Sequence, residues 1–291
     1  VKLVETVSQL QHEIAPAKAS GKNVVFVPTM GALHEGHLSL IEEANQVADA
    51  FVVMSIFVNP TQFGKGEEFD RYPRTLESDI KALSALTNPP ALLFVPSVEE
   101  VYPEGMDAPL KPRAGALGSV FEGAARPSHF EGMLHVISWF FEVVNPEVAV
   151  FGAKDAQQLF LIKRMVHREF SDSIEIIEAQ TIREEDYLAR SSRNRFLTED
   201  GRSFAPVLFT TLIQVQEQIT NGELPSVAIA SASKALEASP LGKLDYLVLV
   251  DKSTFSPISD GFHGEAQLLV AVVVSGVRLI DNITFYIQEP A

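Results

Sequence analysis

Apolar and polar positions recur along this chain with two different periods, and the switches between them mark out its elements. Residues Val7 to Lys18 repeat at helical spacing and Gly21 follows where a helix ends. The apolar run Val24 to Val27 suits a buried parallel strand, stopped by Pro28, which has no amide hydrogen to donate. Thr29, Gly31 and Gly36 then form a loop, and helical spacing from about Leu38 to Ala48 leads into a strand over Phe51 to Val58. Asn59-Pro60-Thr61-Gln62-Phe63 ends that strand. A helix over about Thr75 to Leu86, broken by Asn88-Pro89-Pro90, precedes a strand over Ala91 to Val95.

From Ser97 to Ser128 the chain is rich in Pro, Gly and charge, which predicts a long excursion with at most short strands, placed to cover a site. Helix resumes over Gly132 to Val144, then strand over Val148 to Phe151, helix over Ala156 to Glu169 and strand over Ile174 to Ile177. Beyond Asn194 the order changes to helices over about Thr198 to Thr220 and Pro225 to Ala238. Strands follow over about Leu244 to Val250, Gln267 to Val274 and Val277 to Tyr286. The first part reads as an α/β doubly wound parallel sheet with right-handed crossovers, and the last as a smaller C-terminal α+β domain. We expect domains over 1–182 and 183–291.

Composition narrows the chemistry. With 291 residues and 46% hydrophobic content the chain can bury a sizeable core. A net charge of -15 argues against nucleic-acid or acidic-membrane partners, so an anionic substrate requires a local positive pocket. Zero cysteines exclude disulfides, thiolate metal sites and a cysteine nucleophile, and fit a reducing compartment. The longest apolar runs fall short of the ~18 residues of a spanning helix. No secretory signal is visible in the first residues, so we expect a cytoplasmic protein.

The strand–turn–helix at Val24 to His37 has the order of an anion site, in which unpaired amides and the positive helix end converge. His34 and His37 lie three apart and fall on one side of a helical turn, so both imidazoles can face one phosphate. A pair of surface histidines is the plain alternative, and the spacing is one residue too short for a His-Glu-x-x-His zinc site. Lys154 beside Asp155 suits a nucleoside triphosphate with magnesium, or a surface ion pair capping a helix. Arg190-Ser191-Ser192-Arg193-Asn194 suits gripping a polyphosphate, or a solvated charged turn. Arg126 and His129 reach an anion or pin their loop, and Gln157-Gln158 in isolation read as solvent-exposed helix residues.

Taken together, Pro28 to His37, Ser55 to Phe63, Arg71-Tyr72-Pro73-Arg74, Phe121 to Phe130, Phe151 to Gln158, Ser191 to Asn194 and Arg278-Leu279-Ile280-Asp281-Asn282 resemble the pantoate–β-alanine ligase family. That family belongs to a nucleotidyltransferase superfamily related to class I aminoacyl-tRNA synthetases. The resemblance implies a Rossmann-like amino domain, a homodimer, ATP with Mg2+, pantoate and β-alanine as substrates, and no organic prosthetic group. Carried over residue by residue, it assigns ATP binding to Met30, Gly31, Ala32, Leu33, His34, Glu35, Gly36, His37, Gly152, Ala153, Lys154, Asp155, Ile182, Arg190, Ser191, Ser192 and Arg193. It assigns pantoate to Gln62 and Gln158, Mg2+ to Asp155 and an anion contact to Arg126, and its catalytic set is His34, His37, Lys154, Ser191, Ser192 and Arg193.

The implied rivals are a superfamily member with a phosphate acceptor, and a nucleotide-binding protein without catalysis. Against the family pattern, Tyr187 and Ser128 replace usual glycines and Ala153 a longer polar residue. His135 and Trp139 stand where Thr and Lys are usual. We expect Tyr187 to make any positive φ at its position costly.

Overall fold

The computed structural model describes residues 1–64, 69, 72–106 and 108–289, so Arg71 of the family pattern lies outside the described residues. Backbone contacts divide the chain into a first unit, Val1–Ala153 with Gln157–Gln180, and a second, Lys154–Ala156 with Thr181–Ala291.

In the first unit the elements run β1 (Lys2–Val4), α1 (Val7–Ala19), β2 (Asn23–Thr29), α2 (Glu35–Ala44), β3 (Ala50–Ile56), α3 (Leu76–Ser84), β4 (Leu92–Phe94), α4 (Val98–Val101), α5 (Glu122–Ala125), α6 (His129–Val144), β5 (Val148–Gly152), α7 (Ala156–Glu169) and β6 (Glu175–Ala179). The strands form one parallel sheet in the order β1-β4-β3-β2-β5-β6. Alternate residues of β2 feed two cores. Val24 and Phe26 pack with side chains of α1, α6 and α7, whereas Val25 and Val27 pack with Leu40, Ile41 and Leu83 from α2 and α3. Helices therefore cover both faces, as a doubly wound sheet requires. The strand order reverses between β2 and β5, and the crevice outside the carboxyl ends of such strands is where ligands collect in open α/β sheets.

Several sequence expectations shift. β2 passes through Pro28 to Thr29. The Val24 carbonyl accepts from the Glu147 amide and the Thr29 carbonyl from the Phe57 amide, so even positions of β2 face β5 and odd ones face β3. Pro28 thus lacks its donor on the β5 side, where pairing has already ended at Phe26 and Ala149. α2 starts at Glu35, not Leu38, because His34 caps it, and it stops at Ala44 where the Asn45 side chain turns back onto the Ile41 carbonyl at 2.8 Å. The excursion over 97–128 carries short helical turns, with no strand among its described residues. The edge strand β1, three residues long, was too short to carry a period.

The second unit contains α8 (Glu199–Phe204), α9 (Val207–Thr220), α10 (Pro225–Glu237), β7 (Gly242–Asp251), β8 (Gly264–Val274) and β9 (Val277–Ile287), the strands pairing antiparallel in that order. Pro206 divides the helix expected over Thr198 to Thr220. Leu208, Leu212 and Val215 of α9 pack with Leu249, Leu268, Val270 and Val272 to form this unit's core.

One close packing positions the first unit's polar residues. A Cβ on Gly132 of α6 would lie 2.4 Å from the Thr61 carbonyl oxygen, so only glycine lets the helix meet the turn at Pro60–Gln62. Gly132→Ala is expected to lower unfolding stability by about 1–3 kcal/mol, the ordinary range for overpacking, read from the denaturant midpoint.

Candidate active site

The connection from β2 to α2 is built on one buried acid. Gly31 and Ala32 both take positive φ, 78° and 52°. Asp79 on α3, 4% exposed, accepts the Ala32 amide at 3.0 Å and the Leu33 amide at 2.9 Å, while Thr75 Oγ1 donates to it at 3.1 Å. A Cβ on Gly31 would stand 3.0 Å from Ile56 Cγ2 and 3.2 Å from Asp79 Oδ2. Thr29 Oγ1 donates to the Ser55 carbonyl at 2.7 Å and accepts the Gly31 amide at 3.3 Å.

The two histidines then cap α2 reciprocally. His34 Nδ1 accepts the Gly36 amide at 3.1 Å and His37 Nδ1 accepts the His34 amide at 3.3 Å, with ring centroids 4.0 Å apart. A backbone amide only donates, so each Nδ1 is an acceptor and each neutral imidazole carries its proton on Nε2. The expectation of unpaired amides is corrected here, because those of Gly31 to His34, Gly36 and His37 have partners within the protein. With Nδ1 accepting, the donor that each imidazole carries is its Nε2–H. Met30 is half-buried and Glu35 is exposed.

Gln62 is buried at 6% exposure with Nε2 at 2.8 Å from Met30 Sδ. Its Oε1 accepts from Asn59 Nδ2 at 3.2 Å, and Asn59 Nδ2 also donates to the Gly132 carbonyl at 2.9 Å. Tyr102 donates its hydroxyl to Asn59 Oδ1 at 2.6 Å and pairs with Thr61 Oγ1 at 2.8 Å. Burial pushes the Tyr102 pKa above its ordinary value, which keeps that donor protonated. His135 stacks on Tyr102 at 5.3 Å and Trp139 on Phe94 at 6.1 Å, so both departures from the family pattern serve packing of α6.

Gln157 corrects its sequence reading. It is 3% exposed; Nε2 donates to the carbonyls of Leu117, at 2.6 Å, and Val120, at 3.0 Å, and Oε1 accepts the Glu122 amide at 3.0 Å. It ties the long excursion to α7, while Gln158 is half-buried. Arg126 Nη1 lies 3.0 Å from His129 Nε2, and His129 Nδ1 lies 2.9 Å from the Gln62 carbonyl. Ser128 adopts φ 68° where the family usually has glycine. Gly152 ends β5, and the Ala153 amide donates to the Ala179 carbonyl at 2.8 Å.

In the second unit, a narrow cleft is lined by Lys154, Ser191, Arg193, Asn194, Arg278 and Asp281, among others. Lys154 Nζ lies 3.1 Å from Asp155 Oδ2. Ser191 Oγ accepts the Arg193 amide at 3.3 Å and caps the turn that begins at Ser192. The Ile182 carbonyl accepts the Arg190 amide at 2.9 Å, and Arg190 Nη2 pairs with Glu184 at 3.3 Å. Arg183 grips the buried Asp281 through two hydrogen bonds, 2.6 and 3.0 Å, and lies 3.9 Å over the Phe209 ring. Tyr187 takes φ 68°, and its ring stacks on the other side chain in that contact, Phe209, at 5.5 Å. The strain expected of Tyr187 is therefore present, at about 1–2 kcal/mol, and the aromatic stack offsets part of it. The Asp186 carboxyl is held below its usual range by the Arg202 hydrogen bond.

Asp79, Tyr102, Arg183 and the tie made by Gln157 were not found from sequence. Asp79 carried a signal: it interrupts the apolar stripe of α3 between Leu76 and Leu83, and an acid on the buried stripe of a helix needs a partner.

A doubly wound parallel sheet with a reciprocally capped histidine pair where the strand order reverses defines a nucleotide-using α/β enzyme. The chain belongs to the pantoate–β-alanine ligase family, whose sequence model, described as Pantoate-beta-alanine ligase, matches residues 2–284. A pantothenate synthetase from Leifsonia xyli subsp. xyli is 46% identical over 264 residues, covering 91% of this chain and 89% of its own. A solved pantothenate synthetase from Thermus thermophilus superposes with TM-score 0.88 at 43% identity, covering 97% of this chain and 99% of that one. A pantoate-beta-alanine ligase from Francisella tularensis, solved in complex with beta-gamma ATP and beta-alanine, gives TM-score 0.72 at 31% identity, with 97% of each chain covered.

Asp79→Asn turns one acceptor towards two amides into a donor. It is expected to cost about 1.5–3 kcal/mol of stability, the range for a hydrogen bond to a charged group, read by chemical denaturation.

Proposed function

We propose that this chain condenses pantoate with β-alanine, converting ATP to AMP and pyrophosphate through pantoyl adenylate. The pantoate carboxylate attacks the α-phosphorus and pyrophosphate leaves; the β-alanine amine then attacks the acyl carbon and AMP leaves with the C–O electron pair. No covalent enzyme nucleophile is needed, because the carboxylate is already ionised and adenylation makes AMP a good leaving group. Catalysis rests on positioning and charge stabilisation.

The observation that carries this reading is the reciprocal cap of His34 and His37, which commits both Nδ1 atoms to the backbone and keeps both Nε2–H groups as donors to charge developing at the α-phosphate. His37 serves as proton donor. Met30 to His37, Gly152 to Asp155, Ile182 and Arg190 to Arg193 bind ATP, Lys154 neutralises phosphate, and Ser191, Ser192 and Arg193 engage the triphosphate. Gln62 and Gln158 hold pantoate, and Arg126 contacts an anion.

Mg2+ fits what the residues offer. Asp155 supplies one partly exposed carboxylate, and among the described residues no group of three or more His, Cys, Asp or Glu is arranged to hold a metal alone. That suits an ion held mostly by phosphate oxygens and water, which when bound screens triphosphate charge. The same reading takes the protein as a cytoplasmic homodimer with its domain boundary between residues 182 and 183. The cysteine-free composition agrees with a reducing compartment, and among the described residues no helix is long and apolar enough to cross a membrane.

With ATP, Mg2+, pantoate and β-alanine, AMP is expected only from the full mixture, and pyrophosphate from the mixture lacking β-alanine. Pantoate without effect would remove the reading. His37→Ala and Lys154→Ala are each expected to slow pyrophosphate release about 10²-fold or more. The loss of the His37 cap costs only about 1 kcal/mol of stability.

A further inference from the structure

Two side-chain amides are buried in the second unit's sheet. Gln267 on β8 and Asn282 on β9 are 9% and 8% exposed; across the ladder Gln267 stands opposite Val250 and Thr284, and Asn282 opposite Leu269. Burying an amide is unfavourable unless its hydrogen bonds are replaced, so an aliphatic pair would fill this place with less penalty. Here the bonds are replaced in one direction. The Lys154 carbonyl only accepts, so Asn282 turns Nδ2 towards it and Oδ1 away, and Gln267 Nε2 donates to that Oδ1 at 2.9 Å. Asn282 Nδ2 then donates to the Lys154 carbonyl at 2.9 Å. The Asn282 backbone is held in turn, its N–H donating to Asp281 Oδ1 at 2.8 Å, and Asp281 is clamped by Arg183.

We propose that Asn282, oriented by Gln267, is a positioning residue for Lys154. The inference rests on the reading of Lys154 as a phosphate-neutralising group. A lysine side chain has a long flexible stem, and its ammonium is aimed only as well as its backbone is fixed. The Asn282 bond fixes that backbone at the residue itself, immediately before α7 begins at Ala156. Arg278-Leu279-Ile280-Asp281-Asn282, otherwise without an assigned role, thereby acquires one: its last residue holds the lysine, and Asp281 before it holds the chain that leads to Ser191.

The test uses Asn282→Ala, Gln267→Met and the double variant in the full chain. Pyrophosphate release from ATP and pantoate is expected to fall about 10–100-fold in Asn282→Ala, a range taken from the loss of groups that orient metal ligands. The loss falls on kcat, with KM for pantoate little changed. Aminolysis of preformed pantoyl adenylate by β-alanine is expected to stay near that of the unaltered chain, since the triphosphate has by then been cleaved. Gln267→Met is expected to give part of the loss, and the double variant no more than Asn282→Ala, because Gln267 acts through Asn282. Both half-reactions falling together in step with a lowered melting temperature, or additive losses, would overturn the proposal. Adenylation at the unaltered rate in Asn282→Ala would also overturn it. An unaltered chain that makes no adenylate would instead refute the functional reading on which it rests.

Discussion

Asp79 gives both carboxylate oxygens to a loop in which two successive residues, Gly31 and Ala32, hold positive φ. An alanine in that region costs about 1–2 kcal/mol, and hydrogen bonds to a buried charge offset it at about 1.5–3 kcal/mol each. The loop's direction sets where the next helix begins. With Ala32 and Leu33 anchored, His34 arrives extended, accepts the Gly36 amide and starts α2, and His37 closes the cap from one turn further on. The histidine pair is thus the helix cap, and its geometry is inherited from an acid on a neighbouring helix.

Support of this kind recurs in each unit. Gln62 is presented by a turn that packs under Gly132 and is braced by Asn59 and Tyr102, so the side chain is set by its supports before any ligand arrives. In the second unit, Arg183 ties Asp281, and Asn282 ties Lys154. Adenylation of a carboxylate asks for orientation and for donors at developing charge, and rigidly supported polar groups supply both.

The alternation of strands and helices was legible because buried parallel strands are short apolar runs and amphipathic helices keep their period; α7 begins and ends where the spacing put it. Boundaries set by side chains were not. α2 begins early because imidazoles cap it, a role more usual for Ser, Thr, Asp or Asn. β2 outruns Pro28 because the missing donor falls where no strand pairs, a fact of register that no local pattern records. The motif residues His34, His37, Lys154 and Ser191 to Arg193 stood out by type and spacing, whereas their supports are single polar residues far away in the chain. Asp79 lies 47 residues from Ala32, and Asn282 lies 128 from Lys154. Gln157 read as solvent-exposed since its partners are backbone carbonyls of an irregular segment. Tyr187 was expected to make a positive φ costly; it holds φ 68°, and what the sequence did not show is Phe209 stacked on its ring.

The central claim is that a carboxylate is activated at the α-phosphorus of ATP. Pantoate labelled with 18O in its carboxylate tests this directly. Attack through one labelled oxygen, with aminolysis at the acyl carbon afterwards, must leave that oxygen on phosphorus, so the expected products are AMP carrying one 18O and unlabelled pyrophosphate. Label in inorganic phosphate together with ADP would place activation at the γ-phosphorus and contradict it.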